Sequence, residues 1–167
     1  LINQGEVMSK KYWVTCTNPP YLALSSADMK LYSYLSKYFP DAKNDLFAAF
    51  IKQCNSLLKS NGIQSIITQH SWMFLSRSKE LREKIINQTT ILSLVHLGTR
   101  AFDAIGGEVV QTVAFCIRNQ KQNCYNGTYI KLVDYYGESK KKEAYFDKNN
   151  YYSVSSTIFH NVPDSMI

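Results

Sequence analysis

Asn18-Pro19-Pro20-Tyr21 follows the stretch Tyr12-Trp13-Val14-Thr15-Cys16, which reads as a buried strand. Proline cannot donate to a sheet ladder, and each proline pushes the residue before it into an extended conformation. A rigid loop therefore begins at Asn18, carrying an amide and an aromatic ring. Taken alone, the tetrapeptide is equally a plain strand exit with an aromatic cap. Two further segments carry candidate groups: Gln69 to Leu75, with His70 and Trp72, and Thr99 to Gly107, with Arg100 and Phe102. An amide and several aromatics, with no Ser-His-Asp set, metal cluster or phosphate-cradling glycine motif, do not suit a hydrolase or a nucleotidase. They suit a flat, nitrogenous ligand.

The elements that must position these groups follow from periodicity. Ser25 to Asn44 is polar, rich in Tyr and Lys, and reads as an elaborate loop, its poor periodicity leaving room for a partial helix. From Asp45, Leu46, Phe47, Phe50, Ile51, Cys54, Leu57 and Leu58 recur at three and four, which predicts a helix capped by Asn44 and stopped by Asn61-Gly62. Ile63 to Thr68 is strand-like. A second helix is expected from Ser76 or Ser78 to Gln88, burying Leu81, Ile85 and Ile86. Ile91 to Leu97 and Val109 to Ile117 read as strands joined by about ten residues without a helix, so they should pair antiparallel. The alternation predicts an α/β sheet, mostly parallel, with one reversed strand. In open sheets of this kind, ligand sites lie outside the carboxyl ends of the strands, where the three loops should converge.

Beyond Gln120 the texture changes. Thr128 to Tyr136 reads as a strand, Glu138 to Glu143, with Lys140-Lys141-Lys142, as a solvated charged run, and the tail through Tyr151, Tyr152 and Phe159 as a segment without its own core. The 167 residues are 45% hydrophobic and 13% aromatic, which suits a folded soluble domain. No apolar run approaches the roughly 20 residues that span a bilayer. A net charge of +6 fits a polyanionic partner without requiring one. Cys16, Cys54, Cys116 and Cys124 form no metal-binding pair, which fits reduced thiols in a cytoplasmic protein.

Asn18-Pro19-Pro20-Tyr21 after an apolar strand resembles the catalytic motif of the amino-methyltransferases. The continuation is more specific: KNDLFAAFIKQCNSLLKSNG, IIT, QHSWMFL, LRE and ILSLVHLGTRAFDAIGGEVVQTVAFCI, in order, resemble adenine-N6 DNA methyltransferases of the fused type IIG restriction class and of BREX phage-defence systems. The resemblance runs from about Tyr12 to Asn119, with a looser likeness beyond. It implies a Rossmann-like sheet, transfer of a methyl group from S-adenosylmethionine, and double-stranded DNA as the partner. Asn18, Pro19, Pro20 and Tyr21 would be catalytic, with Tyr21 stacking on a flipped adenine. Phe102 would pack on the base from its other side, or serve as a loop anchor. Phe50 would touch the adenine of the methyl donor, or be ordinary core. Asp45 reads as a first-turn dipole complement and Trp72 as packing. For His70 no partner is legible, and Arg100 is a phosphate contact or a solvent-facing side chain.

The pattern departs from the family at one point. The glycine-rich loop and the acidic residue that hold the methyl donor are missing, and the Gly106-Gly107 pair stands elsewhere in the order. Residues 1–120 therefore resemble the second half of a methyltransferase domain, and 121–167 the start of a basic region leading toward target recognition. Such a piece should expose the flank of its catalytic strand, to be covered by a partner, a dimer or the terminal segments. Alone it should bind the donor weakly and be inactive. Two alternatives remain at the level of sequence: a protein or RNA amino-methyltransferase, and a non-catalytic module for DNA binding or assembly.

Overall fold

The computed structural model describes residues 2–103 and 110–167. The described elements are α1 (Ile2–Ser9), β1 (Tyr12–Thr17), α2 (Met29–Tyr38), α3 (Leu46–Ser56), β2 (Leu58–Gln69), α4 (Lys79–Gln88), β3 (Thr90–Gly98), β4 (Thr112–Arg118), β5 (Asn126–Lys131), α5 (Glu138–Phe146) and β6 (Tyr151–Ser155). The strands form one sheet in the order β1-β2-β4-β3-β5-β6. β1 is parallel to β2, and β3 to β5, while β4 is antiparallel to both β2 and β3. Consequently β1, β2, β3 and β5 run the same way and β4 is reversed, as the alternation of elements requires, while β6, antiparallel to β5, is a second reversed strand that was not expected. The antiparallel pairing expected of the strands flanking the Thr99 loop is the β3–β4 ladder.

Alternation along β2 and β4 sets the core. Gln64, Ile66 and Thr68 of β2 are buried on one face, and Val113, Phe115 and Ile117 of β4 are buried likewise. Ile66 pairs with Phe115 across the ladder. This layer packs with Phe47, Ala48, Ala49 and Ile51 of α3 and Leu81 and Ile85 of α4, so the small alanines bring α3 close to the sheet. Inside this layer the Gln64 amide nitrogen donates to the Ile51 carbonyl at 3.2 Å, while its buried oxygen has no partner among the described residues.

Several boundaries differ from those predicted. The segment expected as an elaborate loop contains α2, capped by Asp28, whose carboxylate accepts from Leu31 N. The sequence spacing hid it because most of the helix is solvent-facing: Met29, Tyr32, Tyr34 and Tyr38 are exposed, and Leu35 is its buried residue. α3 ends at Ser56, before Asn61-Gly62, because Leu58 already pairs with Tyr12 of β1. Asn61, at φ 64°, instead belongs to an irregular stretch of β2 where the register slips between Tyr12 and Val14. The Gly106-Gly107 pair and the expected strand start at Val109 lie outside the described residues, and β4 begins at Thr112.

The sheet continues past residue 120. β5 and β6 pair antiparallel, and Phe159 is buried with its ring 5.7 Å from that of Tyr129. The charged run folds as α5, in which Lys141 is only 4% exposed although a solvated surface was expected. Tyr136 also falls outside the strand predicted there, since β5 ends at Lys131. At the opposite margin, β1 is an edge strand among the described residues, with Trp13 and Val14 more than half exposed at 62% and 61%.

Candidate active site

The carboxyl ends of β1, β2 and β3 lie along one margin of the sheet, which brings the three candidate loops to the same side. Asn18 to Tyr21 leaves β1 at Thr17, the His70 segment leaves β2 at Gln69, and the Phe102 segment leaves β3 at Gly98. Pro19 is buried while Asn18 is exposed. Among the described residues, neither the Asn18 side chain nor the Pro19 carbonyl is taken up by a hydrogen bond, so both acceptors are available.

The loop is fastened to the start of α3. Asp45 caps that helix through Oδ1, which accepts from Phe47 N at 3.3 Å and also from Leu22 N at 3.2 Å. Leu46 N donates to Leu22 O, Leu24 N donates to Asn44 O, and Ala23 and Asp45 form an isolated antiparallel bridge. The Tyr21 ring stands edge-on to Phe47, with centroids 5.9 Å apart and planes at 81°. Burial raises the Asp45 carboxyl above its usual range, against the hydrogen bonds that favour its charge. Burial and the Asp45 charge together raise the Tyr21 hydroxyl, which keeps it a neutral phenol.

The cap is Asp45 rather than the expected Asn44. The Asn44 amide is turned away and donates to Arg77 O at 2.5 Å. Both residue types cap well, so spacing alone left one position of ambiguity; the bridge through Ala23 resolves it in favour of Asp45. Sequence reasoning also missed Phe47 as the wall behind Tyr21. Phe50, one turn along α3, is half-buried, whereas Phe47 belongs to the core.

Phe102 is 36% exposed and reaches the same margin as Tyr21, although no ring contact joins them. Its segment turns at Gly98, with φ at +70°, where an added Cβ would lie 3.0 Å from Val133 Cα, so close approach as well as backbone angle requires glycine. Arg100 is exposed, and its guanidinium lies 5.9 Å from the centre of the Tyr136 ring.

Between the two outer loops stands a histidine pair. His70 Nδ1 and His96 Nε2 are 2.9 Å apart, so one nitrogen donates and the other accepts. Burial, helped by His70, Lys131 and Lys141, holds His96 down to about 4, and burial also lowers His70. Both rings are therefore neutral near pH 7. Trp72 is fully buried, donating from Nε1 to Thr68 Oγ1 at 3.1 Å and packing on Phe115, as its packing role predicts. Beneath this segment Arg82, also fully buried, donates to the carbonyls of Trp72 at 2.9 Å, Leu75 at 2.7 Å and Asp164 at 3.0 and 3.1 Å.

The chain has relatives among known proteins. The chain is 43% identical over 173 aligned positions to the adenine-specific methyltransferase PglX of Lacticaseibacillus casei (strain Zhang), and 37% identical over 166 to the adenine-specific methyltransferase BrxX of Escherichia coli O9:H4 (strain HS). These alignments cover 100% and 99% of the chain, which spans 14% of the length of each relative. The fold is similar to that of the DNA-bound ATP-dependent Type ISP restriction-modification enzyme LlaBIII, with a TM-score of 0.65, 15% identity, and coverage of 92% of this chain and 12% of the other. Among the described residues no helix is long and apolar enough to cross a membrane. Residues 2–102, which include the fastened Asn18 loop and Phe102, match the Eco57I restriction-modification methylase family, and the chain belongs to that family.

Proposed function

We propose that this chain carries the base-handling side of a DNA methyltransferase that acts on adenine N6 in a restriction-modification or phage-defence system. The observation that carries the reading is the loop from Asn18 to Tyr21. It presents an unclaimed amide and a buried proline, held by Asp45, in a chain whose relatives are named adenine-specific methyltransferases.

The N6 lone pair is delocalised into the adenine ring, which makes the amine a poor nucleophile. Asn18 Oδ1 and the Pro19 carbonyl accept its two hydrogens and favour the tetrahedral geometry from which the lone pair can attack. Pro20 fixes the backbone that carries the Pro19 carbonyl, so the acceptors are set before the base arrives. Neither has to be a strong base, since the proton leaves N6 only as the new carbon–nitrogen bond forms. A base inside a duplex cannot reach this loop and is flipped out at a cost of a few kcal/mol, offset by stacking. Tyr21, backed by Phe47, supplies one face of the stack, and Phe102 closes the other.

S-adenosylmethionine supplies the electrophilic methyl group. On this chain the fit to that donor is one aromatic contact: Phe50, half-buried beside the wall of the site, offers its ring to the donor's adenine. The remaining contacts fall to elements outside the chain described, and the open flank of β1 is where a sheet strand can join it. Replacing Asn18 by Ala in the complete gene product should remove N6-methyladenine from the DNA of cells that carry it, with the protein still expressed and folded. Normal methylation by that variant would overturn the assignment.

A further inference from the structure

Resting on the reading above, we infer that Glu138 and Lys141 of α5 are positioning residues that hold the Phe102 segment in place for the flipped base. Two independent sets of contacts join α5 to that segment. At the first, Asp103 N donates to Glu138 Oε1 at 2.9 Å, and Glu138 N donates to Asp103 Oδ1 at 3.2 Å. Each residue's carboxylate thus satisfies the other's backbone amide, and Asp103 caps the first turn of α5 from a distant part of the chain.

The second contact is made by Lys141, one turn further along the helix. Its Nζ donates to Leu97 O at 2.5 Å, to Leu132 O at 2.9 Å and to Tyr135 O. An ammonium has three protons, and all three are used. Leu97 and Leu132 lie at the carboxyl ends of β3 and β5, so Lys141 ties the base of the Phe102 turn to the neighbouring strand. Phe102 is bracketed by Leu97 on one side and Asp103 on the other, both bonded to the same helix.

The turn into the helix requires a glycine for its backbone angle and not for close approach. Gly137 precedes α5 with φ at +84°, and an added Cβ there would lie 3.6 Å from Asp103 Oδ1. Tyr136, just before it, carries the Arg100 guanidinium on its ring. Tyr136, Glu138 and Lys141 therefore each touch the segment from Leu97 to Asp103, at Arg100, Asp103 and Leu97 respectively. The charged run is solvent-facing as expected except at Lys141, which is buried against the base of the Phe102 segment.

The test uses the complete gene product carrying Glu138→Ala, Glu138→Gln or Lys141→Met. Hydrogen exchange at the Asp103 amide should quicken by tenfold or more in Glu138→Ala and stay close to wild type in Glu138→Gln, whose side-chain oxygen still accepts. Initial rates of N6 methylation on unmethylated DNA should show KM for DNA raised severalfold in Glu138→Ala and Lys141→Met, with donor binding by calorimetry unchanged. Unchanged exchange in Glu138→Ala would refute the clamp. Faster exchange with wild-type KM would refute its role in holding the base, as would loss of donor binding in step with DNA. A wild-type protein that methylates no adenine would sink the functional reading and the base-holding role with it, while the exchange measurements would still decide whether the clamp exists.

Discussion

Removing the Asp45 carboxylate should release the Asn18 loop from α3. Its Oδ1 accepts from two amides, Leu22 N and Phe47 N, on the two sides of the junction. Loss of the helix N-cap, which is the bond from Phe47 N, costs about 0.5–2 kcal/mol, and the half-buried Leu22 amide left without its acceptor costs about 1–3 kcal/mol. Some of that is recovered when water enters, so Asp45→Ala should lower local stability by about 3 kcal/mol, or roughly a hundredfold in the opening equilibrium. Asp45→Asn is the discriminating control. Its side-chain oxygen can accept from the same amides, and it carries no charge to be desolvated. Because burial raises the Asp45 carboxyl, the charged form opposes folding, and the stability it gives is complete below 3.8 and lost as pH rises through its higher folded value. Near neutral pH the Asn variant should therefore be as stable as wild type or more so. Hydrogen exchange at the Leu22 and Phe47 amides reads this directly, whatever the size of the complete protein. An Ala variant with unchanged protection, or an Asn variant that loses as much as Ala, would refute the reasoning.

Phe102→Ala should raise KM for DNA by roughly 5- to 150-fold, the equivalent of about 1–3 kcal/mol of stacking, while Phe102→Tyr keeps most of it; equal values for Ala and Tyr in a steady-state methylation assay would exclude stacking at this position. Burial holds the His70–His96 pair neutral, so its stabilising effect is full above 6.5 and is lost as pH falls toward about 4. Thermal unfolding followed between those limits should show a destabilisation on acidification that His96→Gln reduces, and an identical slope in the variant would assign the effect elsewhere.

The parts legible in the sequence were those where one residue type has one use. The proline pair after β1, the three-four spacing of α3 and the burial of Leu81, Ile85 and Ile86 on α4 all follow from local rules, and the structure carries them. The reversed strand was legible because ten residues without a helix cannot make a parallel crossover. What escaped depended on contacts between distant segments. α2 presents few buried residues to mark its period, and Asp45 rather than Asn44 is fixed as the cap by a bridge to Ala23. Lys141 looks like its neighbours Lys140 and Lys142 until Leu97 and Leu132 are brought beside it. At the site itself, the gathering of the Asn18, His70 and Phe102 segments on one margin was readable from the strand order, but Phe47 as the wall behind Tyr21 was not, since its spacing says only that it is buried.

Arg82 addresses its neighbours only through their backbone oxygens. The carbonyls of Trp72, Leu75 and Asp164 are backbone groups, so the fork constrains the path of the chain without reading its side chains; Trp72 is held separately by its own packing and Asp164 by its ion pair with Lys79. The cost of change is concentrated on one residue: the planar guanidinium reaches Asp164 O through Nε and Nη2 and the Trp72 and Leu75 carbonyls through Nη1, a spread that the single nitrogen of a lysine at 82 does not reproduce. Over evolutionary time the segment from Trp72 to Leu75 could be retuned by substitution at Leu75, with its course still dictated from α4.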